Sequence, residues 1–122
     1  MVEPSERLNS WMDGYLDAWA SNDPDAIAAL FTDDAVYDPQ TASGEWDGID
    51  SIIENWLDIG DDPDNWDFQW LPIVETDDLA VIVGKTHYHN PAMIYRNLFV
   101  IRFDSDFRCT DFTEWYIEED NL

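Results

Sequence analysis

The sequence predicts an α+β fold in which helices come first and a mostly antiparallel sheet follows. Up to residue 60, apolar residues recur at spacings of three and four, as they do in amphipathic helices. From residue 66 onward, apolar and polar residues alternate in runs that short polar turns separate, a pattern typical of antiparallel strands. The 122 residues are 45% hydrophobic, so we expect one domain over residues 1–122.

The first two helices are predicted from periodicity and from their capping residues. A stripe of Leu8, Trp11, Tyr15 and Trp19 predicts a helix over 4–20, for which Ser5 is the N-cap candidate. A second helix begins near Pro24, with Asp23 as its cap.

One strand and one further helix complete the first half. The segment 35–38 reads as a short strand that Pro39 ends, and Asp33 and Asp34 are assigned to the turn before it. An apolar stripe over 47–60 predicts the third helix, and Gly60 ends it.

The second half predicts four long strands, over residues 66–75, 79–89, 92–104 and 108–119. Ile82 has apolar neighbours on both sides in sequence, so both faces of the sheet carry apolar side chains, and we expect both to be covered. Helices and a pocket would cover one face. A second copy would cover the other, through Leu71, Ile73, Val81, Val83, Leu98, Val100 and Trp115.

The charge balance excludes several kinds of partner. There are 28 Asp and Glu residues against five Lys and Arg, for a formal net charge of −23. Such a field repels phosphate, so we expect neither nucleic acid nor an anionic membrane as partner. Adaptation to high salt is one hypothesis for this surface, and a merely acidic protein is the other. A melting series in rising KCl separates them.

Cys109 is the single cysteine, which excludes an internal disulfide and a thiolate metal cluster. The beginning of the chain has no apolar signal segment, and no apolar run is long enough to span a membrane. We therefore expect a cytoplasmic protein.

Two segments carry a resemblance to a known family: "YLDAWASNDPDAIAALFTDDAVYDP" and "CTDFTEWYIEE". Together with the order of elements, they resemble the nuclear transport factor two-like superfamily, which includes the SnoaL-like polyketide cyclases and the ketosteroid isomerases. The resemblance implies a cone-shaped barrel whose strongly curved sheet wraps the first helix. It also implies an apolar pocket for a small apolar molecule. The superfamily contains both enzymes and non-catalytic binders, so fold alone does not decide function.

The resemblance to ketosteroid isomerases assigns three positions. The catalytic tyrosine falls on Tyr15, and the general-base aspartate before a proline falls on Asp38. The second oxyanion donor falls on Phe99, which cannot donate a hydrogen bond, so steroid isomerase activity is not expected. The alternative for Asp38 is an Asx turn before Pro39.

Glu114 is the second candidate acid. Strand alternation puts Phe112, Glu114 and Tyr116 on one face, and the resemblance turns that face toward the pocket. A carboxyl held there must be hydrogen-bonded, paired or protonated, and Asn97 or Tyr15 is a candidate donor. The alternatives are an outward-facing Glu114 or a purely structural hydrogen-bonder.

The remaining candidates are aromatic or histidine residues. Pocket or core walls are expected from Trp19, Phe31, Trp56 and Trp70, with Trp46 at the mouth, and Gly84 is expected to leave room for a ligand. His87 and His89 share a strand face, a spacing that metal sites use, but no third ligand is evident, so no metal is expected. Phosphate-loop and catalytic-elbow motifs are absent, so no cofactor is expected.

Two functions follow. The first is a cofactor-independent isomerase, cyclase or hydratase that uses Asp38 and Glu114 as acid and base, with Tyr15 and Asn97 as hydrogen-bonding groups. The alternative is a non-catalytic module that binds a small ligand or serves as a dimeric scaffold.

Overall fold

The computed structural model describes residues 3–119 and contains three α-helices and six strands within that range. The helices are α1 (Glu6–Ser21), α2 (Pro24–Ala28) and α3 (Ile49–Ile59). The strands are β1 (Phe31–Asp38), β2 (Trp46–Asp47), β3 (Trp66–Glu75), β4 (Leu79–His89), β5 (Ala92–Phe103) and β6 (Cys109–Glu118). A 3₁₀ turn at Pro63–Asn65 precedes β3.

The strands form one open sheet in the order β2-β1-β6-β5-β4-β3. Only the β1–β6 pair is parallel, and the other pairs of this sheet are antiparallel. Register irregularities in β1, β3 and β5 bend the sheet around the helices. The predicted α+β class is therefore confirmed.

Local sequence signals set the helix ends. The Ser5 hydroxyl accepts a hydrogen bond from the backbone N–H of Leu8, and Asp23 accepts one from that of Asp25. Gly60 ends α3 in the left-handed conformation, which a residue without Cβ adopts at little cost.

The core lies between α1 and the inner face of the sheet. Leu8, Met12 and Ala18 are fully buried on α1, and the rings of Trp11 and Tyr15 pack against aromatic residues of the sheet. This packing, rather than helix propensity, holds α1 in place, because burial of its apolar stripe is worth several kcal/mol.

The structure corrects two boundaries. Strand β1 begins at Phe31, so Asp33 and Asp34 are exposed residues within the strand and not turn residues. Asp47, expected to lie in the third helix, belongs instead to the short strand β2, which pairs with β1 at Val36 and Tyr37.

The outer face of the sheet carries exposed apolar side chains. Val83 and Trp115 are both 39% exposed, and Leu71, Ile73 and Ile117 are about half exposed. Isolated apolar residues are common on surfaces, but a contiguous set on one sheet face typically marks an interaction surface. No helix within residues 3–119 is both long and apolar enough to cross a membrane.

Candidate functional site

A cavity of about 590 Å³ opens between α1, α3 and the inner face of the sheet. Its size is in the range of small-molecule sites. Eight of the 21 residues that line it are aromatic, and three carry carboxylates. The aromatic and acidic lining residues are Tyr15, Trp19, Tyr37, Trp46, Trp56, Tyr88, Tyr95, Tyr116, Asp58, Asp61 and Glu114.

A chain of hydrogen bonds runs along the cavity wall and ends at Glu114. The Tyr37 hydroxyl donates to Oε2 of Glu114 at 3.0 Å, and the hydroxyls of Tyr15 and Tyr37 are 3.1 Å apart. Since Tyr37 has one hydroxyl proton and gives it to Glu114, Tyr15 is the donor to Tyr37. Within residues 3–119, Oε1 of Glu114 has no hydrogen-bond partner, and it is available to a ligand.

Stacking holds Tyr37 in this orientation. Its ring lies between Trp46, at 4.5 Å, and Phe112, at 4.6 Å, both nearly parallel to it. Burial and the charge of Glu114 raise the pKa of Tyr37 well above its ordinary value, and the same two causes raise that of Tyr15. Both phenols therefore stay protonated near neutral pH and act as donors.

Burial raises the pKa of Glu114 to about 7. The hydrogen bond from Tyr37 opposes this shift because it stabilises the carboxylate, and the negative charge of Asp61 adds to it. At neutral pH, Glu114 is therefore present in both protonated and ionised forms, which is the condition a general acid–base group requires.

Asp61 is the second carboxylate held firmly at the cavity. Its Oδ2 accepts hydrogen bonds from the Trp19 indole N–H at 3.0 Å and from the Tyr88 hydroxyl at 2.9 Å. Its backbone carbonyl accepts a third from Asn22. Donors from α1 and β4 thus fix a carboxylate that lies in the loop after α3.

Asn97 and Thr86 form a buried polar pair on the same inner face of the sheet. The Thr86 hydroxyl donates to Oδ1 of Asn97 at 2.8 Å. This bond orients the amide so that Nδ2, which has no partner among residues 3–119, is a free donor beside the cavity. Phe99 lies opposite Glu114 in the β5–β6 register, so Asn97 and Glu114 are diagonal neighbours on one face, typically about 7–8 Å apart.

The sequence profile of the SnoaL-like domain matches residues 12–115, which include all the residues that line the cavity except Tyr116. The chain belongs to the SnoaL-like domain family. None of the proteins with curated functions matches its sequence.

Solved structures agree with this assignment at the level of the fold. A protein of Shewanella putrefaciens, provisionally assigned as a SnoaL-like polyketide cyclase, is 16% identical with a TM-score of 0.75, over 93% of this chain and 81% of that one. An NTF2-like protein of unknown function from Mesorhizobium loti is 18% identical with a TM-score of 0.71, over 96% of both chains. A provisionally assigned ketosteroid isomerase of Parabacteroides distasonis is 18% identical with a TM-score of 0.63, over 87% of this chain and 84% of that one.

In this SnoaL-like domain, Asp38 does not share the cavity with Glu114. Ala35, Tyr37 and Pro39 are buried, so Asp38 lies on the opposite side of β1, beside Thr113 of β6. Its Oδ1 accepts a hydrogen bond from the Gln40 backbone N–H at 3.0 Å, which is an Asx turn. Asp38 therefore does not form the expected acid–base pair with Glu114, because its neighbours Tyr37 and Pro39 take the face of β1 that borders the cavity.

The other predicted residues divide into wall and core. Tyr15, Trp19, Trp56, Asn97, Glu114 and Tyr116 line the cavity, and Trp46 also lies there. Phe31, Phe99 and Phe112 are buried beneath it, while Trp70 packs against the core and does not border it. The space beside Gly84 is taken by the Phe68 ring, so this glycine does not leave room for a ligand.

Sequence reasoning missed Tyr37 and Asp61. Strand alternation, started from buried Ala35, would have placed Tyr37 inward. Asp61 had no local signal, because it is one of several aspartates in an acidic loop and its donors, Trp19 and Tyr88, are distant in sequence.

Proposed function

We propose that this SnoaL-like domain is a cofactor-independent acid–base enzyme that moves a proton on a small, largely apolar molecule. The observation that carries the proposal is the Glu114 carboxyl. It borders the cavity, has one oxygen free of protein partners, and has a pKa raised to about 7.

The reaction that fits these groups is proton abstraction from a carbon next to a carbonyl. Oε1 of Glu114 takes the proton, the electron pair of the broken C–H bond forms a carbon–carbon double bond, and the π pair of the carbonyl group moves onto its oxygen. Nδ2 of Asn97 donates a hydrogen bond to that oxygen. Return of the proton to another carbon gives an isomer, and return to the same carbon regenerates the substrate. The hydrogen bond from the Tyr37 hydroxyl stabilises the Glu114 carboxylate while it is ionised.

The charge of the cavity favours a neutral substrate. None of the described residues that line it is basic, whereas Asp58, Asp61 and Glu114 are acidic. An anionic ligand would therefore be repelled, and flat apolar molecules fit the indole and phenol walls.

Hydrogen–deuterium exchange tests this proposal before a natural substrate is known. Small cyclic and aryl ketones would be incubated with the protein in D₂O, and loss of the proton next to the carbonyl would be followed by NMR. We expect exchange of a subset of the panel, and Glu114→Gln should slow it by about 10²–10⁴-fold. Glu54→Gln, an exposed glutamate on α3, is the matched control. Unchanged exchange in Glu114→Gln would overturn the assignment.

A non-catalytic binding domain is the second candidate function. It is favoured by the position of Asp38 outside the cavity and by Phe99, which offers no donor where the isomerases have one. Quenching of the fluorescence of Trp19, Trp46 and Trp56 by a ketone, without exchange at any member of the panel, would support this alternative.

A second copy of the chain is the proposed occupant of the outer sheet face. Besides its exposed apolar residues, that face carries Lys85, Arg96 and Arg102, which are three of the five basic residues in the chain. It is therefore the part of an otherwise acidic surface where two identical chains repel each other least.

A further inference from the structure

The two histidines of the chain lie together with an aspartate on the outer face of the sheet, away from the cavity. His87 and His89 are alternate residues of β4, so both point to this face. Thr86, which precedes them, and Tyr88, which lies between them, point to the other face and line the cavity. Asp67 of β3 is the direct cross-strand partner of His87. The third ligand that the local sequence lacks is therefore supplied by strand pairing.

The three side chains are close enough to share one ion. One candidate ligand atom from each lies within 4.8 Å of the other two, and Nε2 of His89 is already 3.1 Å from Oδ2 of Asp67. The ligand atoms of a zinc site with bonds of about 2.0–2.2 Å lie a little over 3 Å apart. Small side-chain rotations reach this geometry, since the Asp67 and His89 side chains are 70% and 43% exposed.

The ligand set selects the kind of ion. Two imidazoles and one carboxylate suit divalent transition metals such as Zn²⁺, Ni²⁺ and Co²⁺, whereas Mg²⁺ and Ca²⁺ prefer oxygen alone. The remaining coordination positions face solvent and would be filled by water.

The charges around these three side chains are mixed. The chain has a formal net charge of −23, and a groove of about 180 Å³ next to His87 is bordered by Glu118 and by Glu119, which forms an ion pair with Arg96. Lys85 shares the face two residues before His87, on the side away from His89. The cysteine thiol does not compete for the ion, because Cys109 is buried and burial raises its pKa.

We propose that Asp67, His87 and His89 form a surface site for one divalent transition-metal ion. The site is independent of the proton chemistry proposed for the cavity, because its ligands lie on the other face of the sheet.

Calorimetric titration of the full chain with Zn²⁺, after treatment with a chelator, tests the proposal. We expect saturable binding of one ion per chain that excess Mg²⁺ does not displace. His87→Ala and His89→Ala should each weaken binding at least tenfold, and Asp67→Asn should weaken it severalfold. Asp111→Asn removes an exposed carboxylate elsewhere on the sheet and should change the affinity less than twofold.

Imidazole NMR gives a second readout on the same samples. The chain has two histidines, so two sets of imidazole signals are expected, and Co²⁺ should broaden both at low metal ratios. Circular dichroism would verify that each variant is folded. Absence of saturable Zn²⁺ binding, or equal binding by wild type and both histidine variants, would overturn the proposal. Glu114→Gln should leave metal binding unchanged, so failure of the cavity chemistry and failure of the metal site are distinguishable.

Discussion

Tyr37 and Glu114 are 77 positions apart in the chain and meet through a 3.0 Å hydrogen bond at the cavity wall. The parallel pairing of β1 with β6 brings them together, since Tyr37 lies opposite Phe112 and next to Glu114 on the inner face. The contact joins the Glu114 carboxyl, whose pKa burial raises, to the Tyr37 phenol, which the rings of Trp46 and Phe112 hold in place.

Glu114→Gln should stabilise the protein at neutral pH and not in acid. Because the folded pKa is about 7 and the ordinary value is 4.5, the folded chain binds more protons between these pH values. The free energy of unfolding contributed by Glu114 therefore falls as pH rises through this window, by up to about 3 kcal/mol. Urea unfolding at about pH 4, 6 and 8 should show a stability gain that grows with pH. Glu54→Gln, at an exposed position of α3, is the matched control, and a pH-independent gain in Glu114→Gln would contradict the prediction.

Tyr37→Phe should raise the pKa of Glu114 further. The lost hydrogen bond favours the ionised carboxylate and lowers the pKa of Glu114. Without it, the increase in pKa that burial causes is larger. Titration of the Glu114 carboxyl by ¹³C NMR measures the shift. Tyr15→Phe, which keeps the direct hydrogen bond, should change this pKa less. A lower pKa in Tyr37→Phe would show that the contact is not formed in solution.

Asp61→Asn should have the opposite effect on the same titration. The charge of Asp61 disfavours ionisation of Glu114, so its removal should lower the pKa of Glu114. Asparagine still offers an oxygen to the Trp19 indole and the Tyr88 hydroxyl, which keeps the loop in place. The control is Asp62→Asn, an exposed neighbour, and equal shifts in both variants would argue against a local charge effect.

Gly84→Ala should destabilise the fold by about 1–3 kcal/mol, as overpacking of a core does. A Cβ at this position would overlap the Phe68 ring, which itself stacks on Phe99 at 5.6 Å. Chemical denaturation measures the loss. In a Phe68→Leu background the same substitution should cost less, and an equal cost in both backgrounds would exclude this contact as the cause.

Trp115→Glu should convert a dimer into a monomer. Its side chain is exposed on the outer sheet face, where a second copy is proposed to pack, and a buried unpaired carboxylate is costly. Sedimentation equilibrium of the wild type should give twice the monomer mass. Leu57→Glu places the same charge on exposed α3 and should remain dimeric. A monomeric wild type would refute the proposal that a second copy packs on the outer sheet face.

Much of the fold follows from local signals. The apolar stripe of α1, the caps at Ser5 and Asp23, the stop at Gly60 and the alternation in β3 to β6 all appear in the structure. These signals are readable because each depends on residues a few positions apart. Strand alternation likewise placed Phe112, Glu114 and Tyr116 on one face, whereas the direction of that face came from the family resemblance.

The sequence by itself determined the class of fold, the helix ends, the acidic surface and the set of residues that share a strand face with Glu114. The tertiary structure alone decided which groups meet: Tyr37 with Glu114, Asp61 with donors from α1 and β4, and Asp67 with two histidines. It also placed Asp38 on the side of β1 away from the cavity, because successive side chains of a strand point to opposite faces of the sheet and Tyr37 points inward. Periodicity is a local property of the chain, whereas the partner of a polar group depends on strand register and on contacts between distant segments.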